Sequence, residues 1–426
     1  MSCIWKFRID SSSVLEMGGI EEPSTQTRPE RPPSSAIAVA RPLPEERQPV
    51  ISSSKRIPAL DGLRGIAILL VLIAHSFLGI SFVNPTLNWC VHMTRLSWSG
   101  VDLFFVLSGF LIGGILLDAR DSQNYFKTFY IRRAYRILPV YGLVLALAWL
   151  TFQAGQIGWL QGAWAEIFSG KIKWWTFFTF TQNIFMAMAG PYIGRASLSQ
   201  TWSLAVEEQF YLTLPLLIRY ASRRTIKLVV VGFIVGAALL RVFLMFHFSN
   251  GAYASYVLMP CRADALGFGV LSAILVRDEQ AWCWLGSHRI WLYGAAGLLG
   301  FGLLLICLSS FEVFSTMLYG TEYSILALFY TSWLLIAVTG EDGFVKAVLC
   351  NAPLMKLGLI AYGTYLMHRF FLHAFHLGLA SVFTSASVAY SLFSCLLGIG
   401  VTLLIAQVSW TWFEKPLVRR GHHYHY

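Results

Sequence analysis

The sequence predicts an all-α polytopic membrane protein of about ten transmembrane helices. Of its 426 residues, 56% are hydrophobic and only 13% are charged, against roughly 25% charged in a soluble domain. Its 31 Phe, 15 Trp and 18 Tyr are too many for a water-soluble fold to cover with so few polar groups, and the mean hydropathy is +0.60. From residue 58 onward, apolar segments of about 17–24 residues recur, the length a helix needs to cross a bilayer. These figures exclude an ordinary cytosolic enzyme.

In chain order, residues 1–57 stand apart. They hold seven of the 15 prolines, several serine runs and only two aromatics, Trp5 and Phe7. Such a composition cannot bury a core, so it is expected to be a disordered cytoplasmic tail, and it lacks the apolar stretch of a signal peptide. The spans are expected near 63–82, 98–117, 137–154, 203–219, 228–248, 262–277, 290–309, 322–339, 357–378 and 388–410. Three basic clusters, Arg120–Arg136, Arg219–Lys227 and Lys415–Arg420, should face the cytoplasm. Ten spans put all three there, with both termini inside. An eleventh at 173–189 would push Arg219–Lys227 outside, so 173–189 is read as a re-entrant or interfacial segment. About 16 residues follow the last span, and chemistry is therefore expected in the transmembrane domain, 58–417, with 418–426 a short C-terminal tail.

The net charge of +10 reads as topology and not as nucleic-acid binding, because the basic residues lie in short clusters between apolar runs. The seven cysteines form no CxxC pair and mostly fall in or beside apolar runs, which suits reduced packing residues. No phosphate-cradling glycine loop, GxSxG or HExxH is present, and no metal site is expected.

Ionisable groups inside apolar helices are costly and mark function. The first span holds Arg64 and His75, eleven positions apart. At 100° per residue both point to nearly the same face, about 16 Å apart along the axis, with Arg64 at the cytoplasmic interface and His75 near mid-membrane. The plainer alternative makes Arg64 a snorkelling anchor and His75 a helix contact. Arg133 and Arg136 are i,i+3 neighbours that can converge on one anion, and guanidinium forks suit phosphates; positive-inside anchoring is the alternative. Glu207 and Glu208 sit one turn into a span and point about 100° apart, so they take different roles. One is expected to pair with an arginine or histidine, toward the outer side. Asp102 lies near the outer end of the second span, beside Ser108 and Gly109, which suit close helix packing. Arg262 and Asp264 are expected to pair with each other or with neighbours. His368 is buried in the ninth span, and His422, His423 and His425 form an exposed tail.

Taken together these pieces resemble the membrane-bound acyltransferase-3 family. The matching stretches are Leu60–Gly65 with His75 in an R-x10-H spacing, Gly100–Ile112, Arg132–Pro139, Thr201–Tyr211, Tyr362–His368 and Trp412–Pro416. The resemblance covers roughly residues 56–417. It implies acyl transfer from a cytoplasmic acyl-CoA, usually acetyl-CoA, to a hydroxyl of a surface or lipid-linked glycan in a bacterial inner membrane. On this likeness His75, as base or acyl carrier, acts with Arg64 and Glu207 in catalysis. Arg133 and Arg136 hold the CoA phosphates, while Glu208, Asp102 and His368 serve the acceptor. Some relatives carry a fused outward-facing hydrolase-like domain, so the likeness implies that the chain either acts alone or works with a separate extracytoplasmic transferase, beside membrane lipid. The competing reading is a multi-span transporter or exporter without transferase activity. Matching halves and paired broken helices, which that class favours, are not seen in the sequence.

Overall fold

A computed structural model describes residues 57–77, 86, 89, 91, 93–159, 170–190, 196–308, 320–340, 343–380 and 388–426. The tail expected over 1–57 lies outside the described residues, apart from Ile57. Among the described residues the regular structure is entirely helical, as the apolar periodicity predicts.

Helix α1 (Pro58–Phe77) starts on Pro58 and carries Asp61 in its first turn. Proline at the first position loses no hydrogen bond, and an acidic first turn suits the helix dipole. A 3-10 turn, Thr94–Ser99, leads into α2 (Gly100–Asp118). Helix α3 (Tyr125–Gln156) has 32 residues with Pro139 inside it. At 1.5 Å per residue it is about 48 Å long, more than the ~30 Å hydrocarbon core, so its basic first third need not enter hydrocarbon. The remaining elements are α4 (Gln182–Ala189), α5 (Thr201–Tyr220), α6 (Arg223–His247), α7 (Gly251–Val257), α8 (Met259–Leu275), α9 (Glu279–Ser287), α10 (Arg289–Leu308), α11 (Glu322–Thr339), α12 (Phe344–Leu349), α13 (Ala352–Ala380), α14 (Val388–Ser409) and α15 (Lys415–His422), the last two joined through a wide turn at Trp410–Glu414.

Each of the ten predicted spans overlaps a long helix within the described residues. Among the described residues, eight helical stretches are long and apolar enough to cross a membrane. Helices α5 and α13 are not among the eight, and these two carry the glutamate pair and His368. The segment 173–189 forms no spanning helix: a single turn, Trp175–Phe178, precedes the eight-residue α4. Two amide hydrogen bonds tie it to α5. Gln182 donates to the Thr201 carbonyl at 2.9 Å, and Gln209 donates to the Phe180 carbonyl at 2.8 Å.

Two contacts fix the helices around the site. Gly109 of α2 and Gly269 of α8 lie backbone against backbone: a Cβ on Gly109 would sit 2.0 Å from the Leu266 carbonyl oxygen, and one on Gly269 2.2 Å from that of Val106. Gly358 of α13 presses on α1 in the same way, with 1.9 Å left to the Asp61 carbonyl oxygen. Small residues at such crossings let apolar helices gain dispersion contacts that lipid would otherwise supply.

The three basic clusters meet at one end of the bundle. Arg120 donates to the Ala221 carbonyl at 2.7 Å, and Arg219 donates back to the Arg120 carbonyl. Arg132 donates twice to the Tyr424 carbonyl, at 2.9 and 2.6 Å.

Candidate active site

A cavity of about 260 Å³ opens among α1, α2, α3, α5, α13 and the C-terminal residues. It gathers four of the residues singled out from the sequence: Arg64, Arg133, Arg136 and Glu207. Arg132, Ser203, Tyr211 and Tyr365 join them, with His422 and Tyr426.

The basic wall comes from consecutive turns of α3. Arg132, Arg133 and Arg136 precede Pro139 and fan around the helix at 100° per residue. Arg132 is anchored to the Tyr424 carbonyl and lies over the Tyr426 ring, 5.0 Å from its centroid. Arg133 lies over the Tyr211 ring at 5.9 Å. Neither Arg133 nor Arg136 enters an ion pair among the described residues, whereas Arg64, Arg241, Arg262 and Arg277 each do. Arg64 reaches the cavity with Nη1 tied to Asp61 at 2.9 Å.

Facing this wall, Glu207 is held by hydroxyls. Ser108 donates to Oε1 at 2.7 Å, and Tyr211, one turn on along α5, donates to Oε2 at 3.1 Å. The expected ordering of basic groups inside and carboxylates outward does not describe this cavity. Long guanidinium stems and the Tyr211 ring bring Arg133 beside Glu207, and no ion pair forms. Glu208 points elsewhere, as the 100° offset requires. It does not line the cavity, and its Oε1 is buried with no hydrogen-bond partner.

His75 and His368 do not line the cavity. They meet each other edge to face, ring centroids 4.7 Å apart. Tyr365 stands between them and the cavity: it lines the cavity wall, and its ring centroid is 5.7 Å from that of His368. Its hydroxyl lies 2.5 Å from the Ser203 Oγ and donates to the Gln200 carbonyl at 2.9 Å. Each histidine turns Nδ1 to a carbonyl oxygen, His75 to Val71 at 2.9 Å and His368 to Tyr365 at 2.6 Å. A carbonyl only accepts, so Nδ1 carries the proton and Nε2 keeps the lone pair. His75 is partly exposed, while His368 is fully buried with Nε2 unpartnered.

Asp102 is not brought to the cavity. It forms an ion pair with Arg262, both side chains 0% exposed, and Arg262 lies over the Tyr323 ring at 4.0 Å. Asp264 pairs instead with Arg241, at 2.8 Å. Neighbouring positions on α8 thus tie it to two different helices, α2 and α6. The boundary expected at 417/418 falls inside α15. Although His422, His423 and His425 are exposed as expected, the last residues fold over the basic wall: Thr128 donates to the His425 carbonyl at 2.8 Å.

Sequence reasoning missed Ser108 as a ligand of Glu207, and also Ser203, Tyr365 and the C-terminal rim. Tyr211 was legible in principle, since it lies four residues after Glu207 on one helix face. Nothing local marks the pairing of Ser203 with Tyr365 or of Tyr426 with Arg132, since each pair is more than 150 residues apart.

Residues 57–407 match the family model described as "Acyltransferase domain". Among curated proteins, the chain is 27% identical over 380 residues to "Putative peptidoglycan O-acetyltransferase YrhL" of Bacillus subtilis (strain 168), covering 86% of this chain and 55% of that one. It is 26% identical over 377 residues to "Putative O-acetyltransferase SACOL0978" of Staphylococcus aureus (strain COL), covering 86% and 58%. With "Peptidoglycan O-acetyltransferase OatA" of Listeria monocytogenes it shares 25% over 389 residues, covering 87% and 57%. The chain therefore spans little more than half the length of these relatives. No solved structure matches it.

Proposed function

The chain belongs to the acyltransferase family whose domain model spans residues 57–407, and from that premise we propose that it is an integral-membrane O-acyltransferase. On this reading it moves an acetyl group from a cytoplasmic acyl-CoA to a hydroxyl of a surface or lipid-linked glycan. The relatives named for peptidoglycan make a cell-wall glycan the first acceptor to test.

The observation that carries the proposal is the pair Arg133 and Arg136, which line a cavity and enter no ion pair among the described residues. Two guanidinium groups held in no ion pair, against the single carboxylate of Glu207 in the cavity lining, suit an anion, and CoA offers phosphates of matching geometry. The reading puts the basic end, with both termini of the sequence, in the cytoplasm of a bacterial cell, where acyl-CoA is made. The catalytic unit is then 58–417, completed by the C-terminal rim, and an extracytoplasmic transferase remains a candidate partner.

The chemistry falls to His75. Its Nε2 lone pair, set by the Nδ1–Val71 hydrogen bond, is suited to take the proton of the acceptor hydroxyl as that oxygen attacks the thioester carbon. The same lone pair would serve an acyl-carrier route. Arg64 holds the donor at the cavity, its fork oriented by Asp61. Glu207, fixed by Ser108 and Tyr211, orients Arg133 across the Tyr211 ring. Glu208 and His368 serve the acceptor side on this reading, whereas Asp102 acts through Arg262 as a structural tie.

The test supplies membranes containing wild type or His75→Ala with acetyl-labelled acetyl-CoA, and follows label in carbohydrate and lipid fractions alongside free CoA. Label and CoA release that require His75 support the proposal. A wild type that releases no CoA, in membranes where the protein is intact, overturns it in favour of a transporter.

A further inference from the structure

Among the described residues the two fully buried arginines, Arg241 and Arg262, each hold a carboxylate. Arg241 is saturated: it donates to the Gly320 carbonyl, the Cys261 carbonyl, Asp264 and Ser324. Arg262 has Asp102. Arg369, on α13 directly after His368, enters no ion pair among the described residues, and its Nε is buried without a hydrogen-bond partner. Arg369 is partly buried, and a guanidinium partly withdrawn from water without a counter-ion is costly, which suits a position where a negative charge arrives during function.

Its surroundings say which charge. Arg369 lies within electrostatic range of His75, His368 and His373. Around it stand the hydroxyl-bearing rings of Tyr253, Tyr256 and Tyr365, and His373 takes its own Nδ1 contact from the Arg369 carbonyl at 2.7 Å. The cluster holds one cation, Arg369, with imidazoles and hydroxyls around it and no carboxylate among the groups acting on Arg369. Arg64, the arginine that shares a helix face with His75, is about 16 Å away along α1 and already committed to Asp61. It cannot serve the atoms reacting at His75.

We propose that Arg369 is a further catalytic residue, the guanidinium that receives the oxyanion formed when the acceptor hydroxyl attacks the acyl thioester beside His75. The inference rests on the acyltransferase reading above and names the group that reading leaves out. In the step, the acceptor oxygen bonds to the thioester carbon while its proton passes to Nε2 of His75. The carbonyl π pair moves onto oxygen, where Arg369 donates to it. Collapse restores the C=O bond and breaks the C–S bond. The thiolate takes the proton from His75 and leaves as CoA, and the acceptor departs as its ester. Preorganised donors aimed at developing charge in a water-poor site account for large rate factors.

The test uses the full chain in membranes and in detergent, with acetyl-CoA as donor and the membrane carbohydrate fraction as acceptor, comparing wild type, Arg369→Gln, Arg369→Lys and Arg133→Gln. Acetyl-CoA affinity is measured on the detergent-solubilised protein by equilibrium binding of labelled donor, which also reports folding. The expected result is that Arg369→Gln binds acetyl-CoA within about twofold of wild type while kcat falls about 10²–10³-fold. Arg369→Lys should recover part of the loss, and Arg133→Gln should raise the KM for acetyl-CoA and spare kcat. An Arg369→Gln protein that binds donor and turns over within threefold of an active wild type overturns the role of Arg369 alone. A Lys variant no better than Gln, both binding donor normally, overturns it too, because a charge-stabilising site must respond to charge. A wild type inactive with acetyl-CoA sinks the acyltransferase reading together with this one.

Discussion

His75 of α1 and His368 of α13 stand edge to face with ring centroids 4.7 Å apart, and each gives its Nδ1 proton to a carbonyl of its own helix. Two imidazoles with free Nε2 atoms therefore share one place, but only His75 is partly exposed. On the function proposed above, that difference favours His75 for the reacting role and His368 for the supporting one.

The two histidines should separate in kinetics. His75→Ala is expected to lower kcat by about 10²–10⁴, the usual worth of a positioned acid or base. His368→Phe keeps a ring against His75 and should cost less than about tenfold. Steady-state CoA release by both variants checks the order, and a larger loss in His368→Phe would hand the role to His368.

Arg133 and Arg136 should act on donor binding. A hydrogen bond to a charged group contributes about 1.5–3 kcal/mol, so Arg133→Gln or Arg136→Gln should raise the KM for acetyl-CoA about 10–100-fold. The difference from wild type should shrink as salt rises, because mobile ions screen exposed charge. A KM series at several ionic strengths reads both effects; a salt-independent change would point to altered packing.

Glu207 depends on two hydroxyls. Ser108→Ala or Tyr211→Phe each strips one hydrogen bond from a buried carboxylate, at a cost of about 1–3 kcal/mol. The two losses should not add, since both groups serve the same carboxylate. Thermal unfolding of the single and double variants in detergent measures the coupling.

Asp102 and Arg262 form a pair whose removal in halves differs from its removal whole. Asp102→Ala leaves Arg262 buried without its carboxylate and should cost about 3–5 kcal/mol. Asp102→Leu combined with Arg262→Met should recover much of that and keep acyl transfer intact. If the double variant folds but loses acceptor affinity, Asp102 regains the substrate role its place in the sequence suggests.

The helices were legible because an apolar run of membrane length has one economical solution; the shared face of Arg64 and His75, read from helical angle, did not bring both to the cavity, which Arg64 lines and His75 does not. The site was legible only in part. Angle tells which way Arg64 points; it does not tell that Asp61 claims it. Asp102 looked like a substrate group because its partner lies 160 residues later, on a helix whose contact with α2 is fixed by Gly109 and Gly269. Tyr365 belongs to a motif, yet its position between the cavity and the histidine pair depends on Ser203, another helix away. The C-terminal residues looked idle because a backbone carbonyl, the atom of Tyr424 that anchors Arg132, leaves no mark in side-chain pattern.

The glycine crossings divide the molecule mechanically. Where α1 meets α13 and α2 meets α8, main chain rests on main chain, leaving no side chain to change rotamer and so no compliant layer. These joints behave as a stator. Any stroke that admits a bulky nucleotide must then be carried by the arm formed by α3 and the C-terminal residues, which is clamped by hydrogen bonds that a phosphate oxygen can replace one for one. Donor arrival would loosen its own clamp, and amide exchange over 421–426 would quicken while that of α2 stayed slow.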